Sequence, residues 1–291
     1  MLTWLGDDAC ILDNLAFRIT FPRPATVSVI PERFSERTFL VEKPRWLLEQ
    51  YVDLLAMLRP RNIFEIGIRH GGSTVFLSTL AMPEKYVAID LADHSLQSFG
   101  EWLRNGPLKD QVVAHFGVDQ SDGTTLRSIA AEEFDGAPLD LVIDDASHIL
   151  APTRATFEAL FPRLRPGGVY VIEDWETQHR AEAVIQNEIN SDPTALARFE
   201  DRVRQRTETL AELKEPLTRL LVQIVLAAAY TDIVDDIRIR HGSVMIRRGH
   251  ENFDQENFAI SDFYGELGRE LLQQDPGWEP TRTKPDPRPA G

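Results

Sequence analysis

The sequence predicts an α/β fold: a doubly wound, mostly parallel sheet that ends in an antiparallel hairpin, preceded by an N-terminal arm and covered by added helices. Three observations carry this reading. Short runs rich in Val and Ile recur with helical stretches between them: NIFEIGI (62–68), YVAIDL (86–91), VVAHFGV (112–118), LDLVIDD (139–145) and GVYVIED (168–174). Such runs suit strands buried on both faces, and right-handed crossovers then wind the chain into one doubly wound sheet. Near the C-terminus, IRIRHGSVMIRRG (237–249) alternates on either side of His241-Gly242-Ser243, a hairpin signal. The 291 residues are 43% hydrophobic and 26% charged, enough apolar chain for a full core.

In chain order, residues 1–43 mix short apolar runs with Pro22, Pro24 and Pro31 and read as an irregular or short-stranded arm. From Pro44, Leu47, Tyr51, Leu54, Leu55 and Leu58 share one helical face and Pro60 stops the helix. Residues 44–179 form the core, with the turn His70-Gly71-Gly72-Ser73 leading from the first core strand into a second helix, TVFLSTLA. A helical cover is expected over 180–231, broken by Pro193 and Pro216, then the closing hairpin at 232–249. Residues 250–291 are a C-terminal extension whose Pro-rich tail, from Asp275, is expected to lack structure.

The net charge is −15, and neither half of the chain is basic: residues 1–150 carry 13 basic and 22 acidic side chains, residues 151–291 carry 18 and 24. That even acidity argues against a nucleic-acid partner. Cys10 is the only cysteine, which excludes an intrachain disulfide or a cysteine-ligated zinc and fits a cytoplasmic setting. The apolar run Leu220–Tyr230 is too short to span a membrane, and the N-terminus lacks the pattern of a signal peptide.

In an open parallel sheet, ligands bind beyond the carboxyl ends of the strands. Here those ends carry Glu65 and Gly67 with the Gly71-Gly72-Ser73 turn, then Asp90, Asp119-Gln120, Asp144-Asp145 with His148, and Glu173-Asp174. The glycine turn lets a ligand approach the backbone closely, though by itself it also reads as a plain tight turn. Arg69 stands where a dinucleotide fingerprint would have its second glycine. Asp90 is placed to accept hydrogen bonds from ribose hydroxyls; alone, it reads equally as a helix cap. Asp145, Glu173 and Asp174 make a hard oxygen set suited to Mg²⁺, and His148, three residues from Asp145, suits a general base. The bland alternative makes these carboxylates caps or arginine partners. Trp175, Gln178 and His179 follow the acidic pair and could line an acceptor pocket.

These segments resemble class I S-adenosylmethionine-dependent methyltransferases, whose Rossmann-like sheet has seven strands and a terminal hairpin. The nearest resemblance is to the metal-dependent natural-product branch, which holds the mycinamicin-type macrolide sugar O-methyltransferases and cephalosporin hydroxylase-like relatives. It rests on FEIGIRHGGST, YVAIDL, DQSD (119–122), LVIDDASHILAPTRATFEALFPRLRPGGVYVIED and SVMIRRG. The resemblance implies that Glu65, Gly67, Gly71, Gly72 and Ser73 cradle the methionine part of the cofactor. Asp90 would meet the ribose, Asp119 or Gln120 the adenine, and Asp144 is counted with this group. It further implies Asp145, Glu173 and Asp174 as Mg²⁺ ligands and His148 as base. The implied activity is O-methylation of a deoxysugar hydroxyl in a glycosylated secondary metabolite, a small-molecule acceptor, by a homo-oligomeric enzyme. A catechol-type acceptor, or a fold-mate without methyl transfer, are the rival readings.

Overall fold

In the computed structural model, which describes residues 1–19, 37–95, 97–191 and 215–273, the chain builds two sheets. The first has four short strands in the order β1-β2-β3-β4: β1 (Leu2–Trp4), β2 (Ala9–Leu12), β3 (Leu15–Ile19) and β4 (Thr38–Val41). The first three are an antiparallel meander and β4 pairs parallel to β3. Of the two forms considered for the arm, the described part is short-stranded and docked. Cys10, Leu12, Phe17, Phe39 and Val41 point inward with the period of two that a strand imposes and join the main core. The prolines at 22, 24 and 31 lie outside the described residues.

Helix α1 (Arg45–Leu58) buries Leu47, Tyr51, Leu54 and Leu55, the face that the spacing predicts, and ends on Arg59 in the left-handed region. The second sheet has seven strands: β5 (Asn62–Ile66), β6 (Lys85–Asp90), β7 (Val112–Phe116), β8 (Leu139–Asp144), β9 (Leu164–Glu173), β10 (Val234–Arg240) and β11 (Ser243–Arg248). Their order is β10-β11-β9-β8-β5-β6-β7. The five strands from β7 to β9 are parallel, while β11 lies antiparallel to β9 and β10 to β11, as the hairpin signal predicts.

Helices α2 (Gly72–Ala81), α3 (Gln97–Asn105), α4 (Gly123–Glu133) and α5 (Leu150–Leu160) are the crossovers. Alternate strand residues feed two cores, one on each face: Phe64, Val142, Tyr170 and Ile172 on one, Ile63, Leu141, Ile143 and Val171 on the other. Burying each aliphatic or aromatic side chain contributes about 1.5–3 kcal/mol. All six residues of β8 are buried, as expected of a strand in the middle of a sheet covered on both faces. The chain leaves β5 outward through β6 and β7, then returns past β5 to β8. This reversal opens a crevice at the carboxyl ends of β5 and β8.

Among the described residues, two helices follow in the region expected to be a helical cover, α6 (Thr177–Ser191) and α7 (Thr218–Tyr230); Pro193 falls outside the described residues. No helix among the described residues is long and apolar enough to cross a membrane. The C-terminal extension contains an element that its composition does not announce, helix α8 (Glu266–Gln273), after a 3-10 turn at Ile260–Phe263. Phe253, Phe258 and Phe263 of this region pack together, Phe258 stacked on Phe263 and Phe253 edge-on to Phe263, and Phe258 also meets Phe157 and Phe161 of the core. These rings, with the Ile260 amide donating to Glu158 and Gln223 donating to Tyr264, hold the extension on the core. The tail from Asp275 lies outside the described residues.

Candidate active site

The crevice at the β5–β8 reversal is a cavity of about 1050 Å³. Gly67, Gly72, Ser73, Asp90, Asp119, Gln120, Asp145, His148 and Asp174 line it, so residues up to 107 positions apart meet in one place. Glu65, Gly71, Asp144 and Glu173 are absent from its wall.

The wall begins with the turn after β5. Gly67 has φ 97°, and a β-carbon there would stand 2.2 Å from the Asp145 carbonyl oxygen. The Asp145 amide in turn donates to the Ile66 carbonyl at 2.9 Å, so the exits of β5 and β8 are stitched together where only glycine fits. The Asp90 carboxylate braces the turn: Oδ2 accepts from the amides of Ile68 and Arg69 at 2.8 and 2.7 Å, and Oδ1 from Ala92 at 2.8 Å. Glu65 works from behind. It is fully buried and accepts from Ser73, Thr74 and Tyr86 at 2.8, 2.6 and 2.9 Å, tying α2 and β6 to β5. Burial raises its pKa, and these donors oppose the rise.

A second brace joins the exits of β7 and β8. The Gln120 side-chain carbonyl accepts from the Ser147 amide at 2.8 Å, while its amide group donates to Asp144 at 3.3 Å and to Thr156 at 3.1 Å. Asp144 is buried behind the wall, where desolvation pushes its carboxyl up to about 7 although Tyr170 donates to it at 3.0 Å. Asp119 accepts from the Ser121 amide and hydroxyl at 2.8 and 2.7 Å, keeping its loop beside the cavity.

One end of the cavity holds Asp145, His148 and Asp174, each offering one ligand atom within 4.8 Å of the others. His148 Nε2 lies 3.8 Å from Asp145 Oδ1. His148 and Asp174 both adopt left-handed backbone, φ 56° and 47°, an uncommon conformation for such residues and one found at functional sites. The Gln178 amide donates to the His148 carbonyl at 2.5 Å. Burial raises the pKa of Asp174, and the neighbouring His148 counters it.

Glu173, expected beside Asp145 and Asp174, has other partners. Both of its oxygens accept from Lys43 Nζ at 2.7 Å, and Tyr51 donates to it as well. Lys43 also pairs with Asp145. Burial would lower the Lys43 pKa, but the two carboxylates outweigh it and keep the ammonium charged. Burial and then the Asp145 charge press the Glu173 carboxyl upward against that ammonium. Lys43 and Tyr51 are the residues that sequence reasoning missed. Lys43 stands 102 and 130 positions from its partners, so no local spacing marks it; a lone lysine just before a helix start is the only hint. Of the other candidates, Trp175 donates to the Arg240 carbonyl at 2.9 Å, and His179 meets Thr218 at 2.9 Å.

Residues 64–175 match the family described as a methyltransferase domain. Over 91 residues, 31% of this chain, the sequence is 51% identical to 8-demethyl-8-alpha-L-rhamnosyl tetracenomycin-C 2'-O-methyltransferase of Streptomyces olivaceus. Over 61 residues, 21% of the chain, it is 52% identical to mycinamicin VI 2''-O-methyltransferase of Micromonospora griseorubida. These matches cover 20% and 14% of those relatives, so the chain spans only a minor part of their length. Among solved structures, the mycinamicin-pathway methyltransferase MycE, in complex with Mg, SAH and mycinamicin VI, superposes with a TM-score of 0.50. That match has 22% identity over 74% of this chain and 51% of that one, a likeness of fold. The chain thus holds, within its seven-stranded sheet and around the glycine turn, a segment at residues 64–175 that matches a methyltransferase domain.

Proposed function

We propose that the protein methylates a hydroxyl on the sugar of a glycosylated secondary metabolite, using S-adenosylmethionine and a divalent cation such as Mg²⁺. The observation that carries this reading is the Asp145-His148-Asp174 cluster, which shares one cavity with the glycine turn. Two carboxylates and an imidazole, with no thiol, are a donor set for a hard or borderline divalent ion. The cavity also suits the cofactor. Its floor is a glycine turn feeding the N-terminus of α2, beside which His70 Nδ1 faces Glu42 at 3.2 Å. The named sugar O-methyltransferases among the relatives support the acceptor class.

In this reading the Gly67–Ser73 turn and Asp90 position the cofactor, which supplies the methyl group, while Asp145 and Asp174 hold the cation. A divalent ion lends Lewis acidity to an acceptor hydroxyl. His148 Nε2 would take the proton of the acceptor hydroxyl as that oxygen receives the methyl group. A base in that role contributes about 10²–10⁴-fold. The test uses EDTA-stripped protein with the cofactor and a panel of glycosylated polyketides, reading SAH release. Activity should vanish and return with Mg²⁺, and His148→Ala should lose turnover by about 10²–10⁴-fold while still binding SAH. Full rate in EDTA removes the cation from the mechanism, and wild-type turnover by His148→Ala removes the base.

A further inference from the structure

Five carboxylates line the cavity among the described residues: Glu42, Asp90, Asp119, Asp145 and Asp174. Four of them are placed elsewhere along it: Asp90 accepts from three main-chain amides, Asp119 from Ser121, and Asp145 and Asp174 lie with His148. Glu42 stands apart from these. It follows β4, whose Leu40 carbonyl is pressed against Gly72, so the linker from β4 to α1 runs beside the glycine turn. Glu42 Oε2 pairs with Arg69 of that turn and faces the next residue, His70. The Arg69 side chain is 70% exposed, and an ion pair so open to water contributes little by itself, so a ligand can exchange it. An amino acid brings an ammonium and a carboxylate on one carbon. At this turn the carboxylate suits the amides at the start of α2 and the Arg69 guanidinium, and the ammonium needs an acceptor of opposite charge. Glu42 is the carboxylate that lies against the same turn.

We propose that Glu42 and Arg69 read the amino-acid end of the cofactor, the Glu42 carboxylate binding its α-ammonium and the Arg69 guanidinium its α-carboxylate. The ion pair between the two side chains is opened by a ligand that carries the same two charges, so no charge is left unpaired. The cavity thereby selects an intact amino-acid end over a cofactor fragment that lacks one. The inference rests on the cofactor reading above. It makes the N-terminal sheet part of the site, since β4 delivers the glutamate.

Calorimetric titration of the full chain tests this without reading turnover. The probes are SAH, SAH lacking its α-amino group, and 5'-methylthioadenosine, which lacks the whole amino-acid end. Wild type should bind SAH at least about tenfold more tightly than the deaminated analogue. Glu42→Gln should weaken SAH by about 10–100-fold, the scale of a lost charge-assisted hydrogen bond, and leave the other two probes within about threefold of wild type. Arg69→Met should weaken SAH and the deaminated analogue alike and leave methylthioadenosine unchanged. If Glu42→Gln fails to fold, Glu42→Ala takes its place, and the wild-type comparison needs no variant. Equal wild-type affinity for SAH and the deaminated analogue overturns the inference, as does unchanged SAH affinity in either variant. So does a Glu42 variant that weakens methylthioadenosine as much as SAH, because Glu42 would then shape the cavity rather than meet the amino group. In each case wild type still binds SAH and the cofactor reading stands; wild type that binds none of the three probes overturns both.

Discussion

Gly72 lies against the main-chain carbonyl of Leu40, so close that a β-carbon on Gly72 would stand 1.8 Å from that oxygen. The contact joins the start of α2, on the glycine-turn side of the cavity, to β4 of the N-terminal sheet. Gly72 is not in a left-handed conformation, so the close approach alone excludes a side chain. Gly72→Ala should therefore destabilise the protein by about 1–3 kcal/mol, the usual cost of overpacking, and weaken SAH binding. Gly123, at the start of α4, is the control. A β-carbon there meets nothing nearer than 3.4 Å, so Gly123→Ala should be neutral or stabilising by up to about 1 kcal/mol. Urea midpoints of the two variants check this, and equal midpoints would remove the β4–α2 contact as a constraint.

Gln178 and His148 form the second relationship. The Gln178 amide donates to the carbonyl of a residue held at φ 56°, and the Gln178 side-chain oxygen is buried without a hydrogen-bond partner. Gln178→Met keeps the volume but releases that carbonyl. Turnover should fall about tenfold, equivalent to ~1.4 kcal/mol, while the KM for the cofactor is unchanged. In a His148→Ala background the same change should have little further effect. Equal losses in both backgrounds would show that Gln178 acts elsewhere than through His148.

A pH dependence is expected far from the cavity. Glu133, at the end of α4, pairs with Lys85 at 2.7 Å and His115 at 2.9 Å. Burial would raise its pKa, but the Lys85 and His115 contacts outweigh that and hold it below the ordinary 4.5. The folded form thus gains stability from this group above the unfolded pKa and loses it as pH falls through the lower folded value. Glu133→Gln should be less stable than wild type at about pH 7, and the gap should close below about pH 4. Urea denaturation at both pH values measures it, and a gap independent of pH would mean the pair contributes no linkage.

Much of the fold is legible locally. The periodicity of residues 44–58, the five Val- and Ile-rich runs and the alternation around Gly242 each encode an element whose bounds the structure keeps within a few residues. The strand ends were legible too, because a parallel sheet puts its carboxyl ends on one edge, and nine of the thirteen expected site residues line the cavity. Local pattern does not show where helix α8 rests, with Gly268 against Leu226 and Tyr264, or that strands β1 to β4 dock on the main core.

By itself the sequence determined the element types, the glycine turn, and which acidic side chains gather at the edge of the sheet, since these follow from periodicity and backbone preference over short spans. Tertiary structure decided what each carboxylate does. Asp90 and Glu65 are tied by hydrogen bonds to the turn they support, Asp144 is buried behind the wall, and Glu173 is claimed by Lys43 and Tyr51. Those assignments depend on distance and desolvation between residues as many as 130 positions apart, quantities that only the folded chain fixes.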